Sequence, residues 1–132
     1  MQLLMTPNKL TCIIDDDTVY VNLVKKLIQL KKLCDNILVF KNGREALEFF
    51  KDSESLPDLI LLDINMPIMN GWEFLEQFNP INRGLQNRPS LYVVSSSIDP
   101  VDFKKAKSIE CVRDYISKPI SMESFEQIFS IA

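Results

Sequence analysis

A chain of 132 residues has the length of one compact domain, and with 46% hydrophobic and 25% charged residues it can bury a core of its own. A formal net charge of −3 makes no broad footprint for a phosphate backbone, so direct nucleic-acid binding is not expected. The absence of histidine excludes imidazole zinc sites, His-based triads and a phosphohistidine carrier, which leaves carboxylates, hydroxyls and lysine to carry any chemistry.

Cys12, Cys34 and Cys111 are an odd set without a CxxC pair, which fits a reducing, cytoplasmic setting. Met1 to Lys9 has no long apolar core, and no window of about 18 uninterrupted apolar residues occurs, so neither export nor membrane insertion is expected. Residues 1–8 read as an N-terminal extension and residues 9–132 as the domain.

Five short apolar runs rich in β-branched residues read as strands: Leu10 to Ile14, Ile37 to Phe40, Leu59 to Leu62, Leu91 to Val94, and a weaker one at Tyr115 to Ile116. The first, third and fourth are apolar throughout, as parallel strands covered on both faces must be. Helices are therefore expected between them. Thr18 to Leu33 puts Asn22, Lys25, Lys26, Gln29 and Lys32 on one arc, with Leu23, Val24, Leu27, Ile28 and Leu30 on the opposite, wide one. Arg44 to Lys51 follows an Asn42-Gly43 turn and carries Ala46, Leu47, Phe49 and Phe50. Trp72 to Phe78, Pro100 to Ser108 and Ser121 to Ile131 complete the set, the last opening on a Ser N-cap with Glu123 in its first turn. Asn79 to Ser90, with Pro80, Gly84 and Pro89, reads as a long surface loop. The alternation predicts an α/β fold: a doubly wound five-stranded parallel sheet, flavodoxin-like strand order 2-1-3-4-5, with five helices. The last helix runs to the end of the chain, so no effector domain is expected and output should be by docking.

In such a sheet the strand ends carry the site. Asp15, Asp16 and Asp17 follow the first strand, Asp63 ends the third, Ser95, Ser96 and Ser97 follow the fourth, and Lys118 follows the fifth. Crowded carboxylates repel, and a hard cation relieves that repulsion. Magnesium takes oxygen ligands, with only one or two protein carboxylates beside waters and a phosphate oxygen. A carboxylate is also a competent nucleophile for a phosphoryl group. Asp63 is thus a candidate attacking group, with the metal, Lys118 and Ser95 on the phosphoryl oxygens. Milder readings stand beside this one: Asp15 to Asp17 as a helix N-cap cluster, Ser96 and Ser97 as a solvated loop, Trp72 and the phenylalanines as packing.

The segments Ile13-Ile14-Asp15-Asp16, Leu61 to Gly71 (LLDINMPIMNG), Val93-Val94-Ser95-Ser96 and Tyr115-Ile116-Ser117-Lys118-Pro119 together resemble the response-regulator receiver family, over the chain from about Lys9 to its end. The resemblance implies a phosphoacceptor domain of two-component or phosphorelay signalling, a signalling module that at most catalyses its own phosphorylation and dephosphorylation. It implies Asp63 as phosphoacceptor, Mg2+ or Mn2+ as cofactor, Asp16 as a direct ligand, Asp15 as a ligand through water, and Asn65 as a ligand through its backbone carbonyl. Ser95 and Lys118 would hold the phosphoryl oxygens, Tyr115 would change rotamer as Ser95 moves, and Lys118-Pro119 would be a cis peptide. The implied partners are a histidine kinase or histidine phosphotransfer protein, and a downstream protein target met by the face of the fourth helix, fifth strand and fifth helix. Ser95 departs from the threonine more common in the family, which keeps the hydroxyl but drops a methyl that helps fix its direction. Two rivals remain. Asp15-x-Asp17-x-Val19 resembles the nucleophile motif of haloacid-dehalogenase-type phosphatases, although the chain is short for a cap domain and that reading leaves the Asp63-to-Pro67 motif unexplained. The other is a receiver-like domain that binds partners without being phosphorylated.

Overall fold

The computed structural model describes residues 10–53 and 56–131. The extension expected over residues 1–8 lies outside the described residues. The elements alternate as β1 (Leu10–Ile14), α1 (Thr18–Leu30), β2 (Asn36–Phe40), α2 (Gly43–Asp52), β3 (Leu59–Leu62), α3 (Gly71–Arg83), β4 (Ser90–Ser95), α4 (Pro100–Lys107), β5 (Val112–Ser117) and α5 (Met122–Ile131). The strands form one parallel sheet in the order β2-β1-β3-β4-β5. This is the flavodoxin-like order read from the sequence.

Because successive side chains of a strand point to opposite faces, each apolar strand feeds two cores. Cys12, Ile14, Ile60, Leu62, Leu91 and Val93 pack with Phe50, Phe74, Phe78 and Ala106 beneath α2, α3 and α4. Ile13, Leu59, Leu61, Tyr92 and Val94 pack with Val21, Val24, Ile28, Phe125, Ile128 and Phe129 of α1 and α5 on the other face. With both faces of β1, β3 and β4 buried, the charged side chains of these central strands fall at their ends, and Asp15 and Asp63 meet at the carboxyl end, where Ser95 closes β4.

Several boundaries differ from the sequence reading. The helix α1 stops at Leu30, short of Leu33, because Lys32 adopts φ 51° while its N–H and that of Leu33 turn back to Gln29 and Ile28. That is a Schellman-type stop without glycine. The inward face of α1 is also narrower than expected: Val21, Val24 and Ile28 are buried, whereas Leu23 and Leu30 are exposed. Asn42 is not part of a turn but the N-cap of α2, its side chain accepting from the Glu45 N–H.

The long loop expected from Asn79 to Ser90 is mostly absent. Helix α3 continues through Pro80 to Arg83 and is capped at Gly84. Burial of Phe78 and Asn82, packing of Ile81 on the core, and the bond from the Cys111 N–H to Asn79 Oδ1 (3.1 Å) hold the extra turn against the proline's missing donor. The fifth strand is longer than its apolar core, Val112–Ser117, because its backbone pairs along β4 whatever its side chains are. Phe103 is not core packing: it is exposed on α4 with its ring edge-on to Tyr115, 5.6 Å between centroids.

Candidate functional site at the carboxyl ends of the strands

Asp15 leaves β1 buried, its N–H bonded to the Phe40 carbonyl at 2.9 Å. One carboxylate oxygen accepts from the Asp17 N–H at 3.0 Å and the other meets Lys118 Nζ at 2.8 Å. Asp16 is exposed, as is Asp17, which caps α1 by accepting from the Tyr20 N–H. The N-cap reading therefore holds for Asp17, and this engagement weighs against it as part of a phosphatase-type nucleophile pair.

Asp63 is 7% exposed at the end of β3. Its Oδ1 accepts from the Ile64 N–H at 2.8 Å, and its Oδ2 lies 3.7 Å from Lys118 Nζ. Burial, then the charge of Asp15, pushes its carboxyl up from 3.8 to about 6, while Lys118 and the backbone N–H groups of Ile64 and Asn65 pull the other way. Carboxylate oxygens of Asp15, Asp16 and Asp63 lie within 4.8 Å of one another. An all-oxygen, anionic donor set of this size fits a hard divalent cation. Asn65, two residues past Asp63, is exposed, and its backbone N–H bonds the Asp63 carboxylate.

The loop from Asp63 to α3 keeps this geometry tight. Gly71 N–H reaches back to the Ile64 carbonyl at 2.8 Å, and a Cβ on Gly71 would lie 2.4 Å from the Asp63 carbonyl oxygen. Only glycine allows this approach. Asn70 and Glu73 close a reciprocal capping box on α3. Before this cap, in the loop between Asp63 and Asn70, Ile68 takes φ 67°, and the Met69 N–H returns to the Pro67 carbonyl at 2.7 Å.

On the far side, Ser95 is fully buried and its Oγ accepts from the Ser97 N–H at 3.1 Å. Ser97 is not a plain solvated residue: its hydroxyl donates to Asp102 at 2.7 Å, accepts from the Asp99 N–H, and its carbonyl accepts from Tyr115 Oη at 2.8 Å. Ser95 also receives the Lys118 backbone N–H on its carbonyl at 2.8 Å, and the Lys118-Pro119 peptide is cis. The structure thus brings Asp15, Asp16, Asp63, Ser95 and Lys118 to one end of the sheet, with Tyr115 one loop away.

Sequence reading missed Tyr20. Its ring lies under the Lys118 ammonium, 4.3 Å from Nζ to centroid. A signal existed: Tyr20 shares a helix face with Val24 and Leu27, which puts it on the sheet side of the first turn of α1, next to the acidic triplet.

The model of the response regulator receiver domain matches residues 11–130. The sensor histidine kinase CheAY of Helicobacter pylori is 35% identical over 111 residues, which cover 83% of this chain and 13% of that protein. The 3′,5′-cyclic-nucleotide phosphodiesterase regA of Dictyostelium discoideum is 30% identical, covering 89% of this chain and 14% of its own length. The chain thus spans a small part of these curated relatives. Among solved structures, a two-component response regulator from Cytophaga hutchinsonii superposes with a TM-score of 0.84 at 28% identity, covering 94% of this chain and 96% of that one. The Mn2+-bound response regulator Rcp1 shares the fold, with a TM-score of 0.74 at 22% identity over 93% of this chain and 91% of that one. A buried acid at the end of the third strand, read with a match over nearly the whole chain, leads to one conclusion: the protein belongs to the response regulator receiver domain family of two-component signalling.

Proposed function

We propose that Asp63 accepts a phosphoryl group from a phosphohistidine donor, either a histidine kinase or a histidine phosphotransfer protein. The observation that carries this reading is the meeting of Asp15, Asp16 and Asp63 within 4.8 Å, with the Lys118 ammonium 3.7 Å from Asp63. A carboxylate oxygen of Asp63 attacks phosphorus, the P–N bond to the donor imidazole breaks, and the imidazole leaves with the electron pair. The raised proton affinity of Asp63 in the bare pocket must be overcome for it to attack as the anion. Lys118 supplies one positive charge for that. Asp16 would hold Mg2+ or Mn2+ directly, Asp15 through water, with the Asp63 carboxylate and the Asn65 backbone carbonyl completing the protein's donors. When bound, such a cation neutralises the crowded carboxylates and the phosphoryl oxygens.

Ser95 already accepts from the Ser97 N–H, which leaves its hydroxyl proton for a phosphoryl oxygen. Movement of Ser95 toward that oxygen pulls on the Ser97 segment, where Tyr115 is anchored, and Tyr115 changes rotamer in response. The surface so changed is α4, β5 and α5, where Ser97, Ile98, Phe103, Lys104 and Tyr115 line a groove of about 350 Å³ and Ile98 and Val101 are exposed. We assign that face to a downstream protein target rather than to nucleic acid. The setting is cytoplasmic: Cys12, Cys34 and Cys111 are all free thiols. No helix among the described residues is long and apolar enough to cross a membrane. The domain has no turnover chemistry beyond gaining and losing its own phosphoryl group.

Incubation with acetyl phosphate and magnesium, followed by intact mass, tests the proposal. One phosphoryl group is expected, lost in Asp63→Asn. A label that survives in Asp63→Asn and disappears in Asp15→Asn overturns it in favour of phosphatase-type chemistry.

A further inference from the structure

We propose that Tyr20 is a positioning residue for Lys118, its ring being the seat that keeps the ammonium beside Asp63 when Asp15 turns to a divalent cation. The assignment rests on the reading of Asp63 as phosphoacceptor and adds a residue to it. Among the described residues, Lys118 Nζ meets Asp15 at 2.8 Å, Asp63 at 3.7 Å, and the Tyr20 ring at 4.3 Å from its centroid. The ring distance is well inside cation–π range. Held by carboxylates alone, the ammonium would follow Asp15, its nearer partner. A carboxylate that gives its charge to a divalent ion loosens its hold on the lysine, which then drifts unless something else retains it. An aromatic face does that without competing for the ion, because hard cations take oxygen ligands.

Tyr20 is built for a fixed seat. Its backbone N–H is bonded to Asp17 Oδ1 at 3.1 Å, at the capped start of α1, and its ring packs on the core that includes Val21 and Val24. Its hydroxyl is buried and has no hydrogen-bond partner among the described residues. Among the described residues it is the ring face, and not the phenol oxygen, that makes this side chain's polar contact.

Two arms test this on the whole chain. In the first, NMR with magnesium alone reads the Lys118 side-chain methylene protons, which a ring beneath them shifts upfield. The shift is expected with and without magnesium, kept in Tyr20→Phe and lost in Tyr20→Leu. Its disappearance on adding magnesium to the wild type overturns the proposal, and this outcome needs no phosphorylation and no variant. In the second, the rate of labelling by acetyl phosphate is expected to fall roughly tenfold in Tyr20→Leu, the scale of a partly desolvated cation–π contact. Tyr20→Phe rescues that rate, and in a Lys118→Met background Tyr20→Leu has no further effect. A full loss in Tyr20→Phe, or the same tenfold loss without Lys118, overturns the proposal. Should the wild type take no label, the reading of Asp63 fails, while the NMR arm still decides the role of Tyr20.

Discussion

Lys118 is paired more closely with Asp15 than with Asp63: its ammonium lies 2.8 Å from the first and 3.7 Å from the second. The lysine is thus the internal counter-charge of the acidic cluster, and it leaves Asp63 the less neutralised of the two buried acids. This division explains why burial and Asp15 together win over Lys118 at Asp63.

Removing the lysine should be costly. Lys118→Met leaves Asp15, 3% exposed, without its cation, and stranding a buried charge typically costs about 3–5 kcal/mol, less where solvent reaches the pair. A loss of roughly 1–3 kcal/mol in magnesium-free denaturation at pH 7 is expected. Magnesium should restore more stability to the variant than it adds to the wild type. Identical melting of the two proteins without magnesium would contradict the pairing.

Asp63→Asn should do the opposite. Lys118 keeps Asp15, the Ile64 N–H keeps an acceptor, and one of the mutually repelling charges is gone. A carboxyl held at about 6 in place of its ordinary 3.8 opposes folding at neutral pH by roughly 3 kcal/mol before any relaxation of the site. A gain of about 1–2 kcal/mol in metal-free stability is expected, against the usual destabilisation by substitution. The sign with pH follows from the elevated value: the folded wild type binds the extra proton, so the penalty is absent below about 3.8, grows between 3.8 and 6, and is complete above. The advantage of the Asn variant should therefore be full at pH 7 and vanish toward pH 4. Thermal melts across that range, with and without magnesium, measure it; an advantage that grows in acid would refute the assignment.

Glycine at position 71 is a third point of leverage. In Gly71→Ala the new Cβ meets backbone, 2.4 Å from the Asp63 carbonyl oxygen and 2.8 Å from Ile64 Cα, so β3 and α3 must separate. A loss of about 1–3 kcal/mol is expected, together with slower phosphorylation, because the strain falls on the backbone of Asp63, the residue we propose as phosphoacceptor. Gly84→Ala is the control: its nearest contact would be 3.6 Å, so a change within about 0.5 kcal/mol is expected. Chemical denaturation of both variants, with labelling by acetyl phosphate, separates the two cases.

Ile68 carries strain of a different kind. A β-branched residue at φ 67°, 71% exposed, contributes little burial and sits where side chains are rarely tolerated. Ile68→Gly should remove a cost of about 1–3 kcal/mol while adding about 0.5–1 kcal/mol of chain entropy to the unfolded state. A net gain near 1 kcal/mol corresponds to a melting temperature roughly 4 °C higher. A lower melting temperature would mean that Ile68 earns its place through contacts of its side chain.

The residue order by itself determined the sheet and where its chemistry lies. Runs such as Leu59 to Leu62 can be stable only when both faces are covered, which forces parallel strands with helices between them, and that in turn sends Asp15, Asp63, Ser95 and Lys118 to one end. Tertiary structure decided what local preference could not. Pro80 and the polar residues after Phe78 spell a loop, yet burial of Asn82 and the Asn79–Cys111 bond hold a helix there. Lysine 32 ends α1 in a conformation usually left to glycine, because the chain must turn back for β2. Which acid Lys118 pairs with, and that Tyr20 lies beneath it, depend on distances between elements far apart in sequence. Periodicity reports which side of an element is buried; it is silent on which side chains then face one another across the gap, and that is set only when β1, β3, β5 and α1 are packed together.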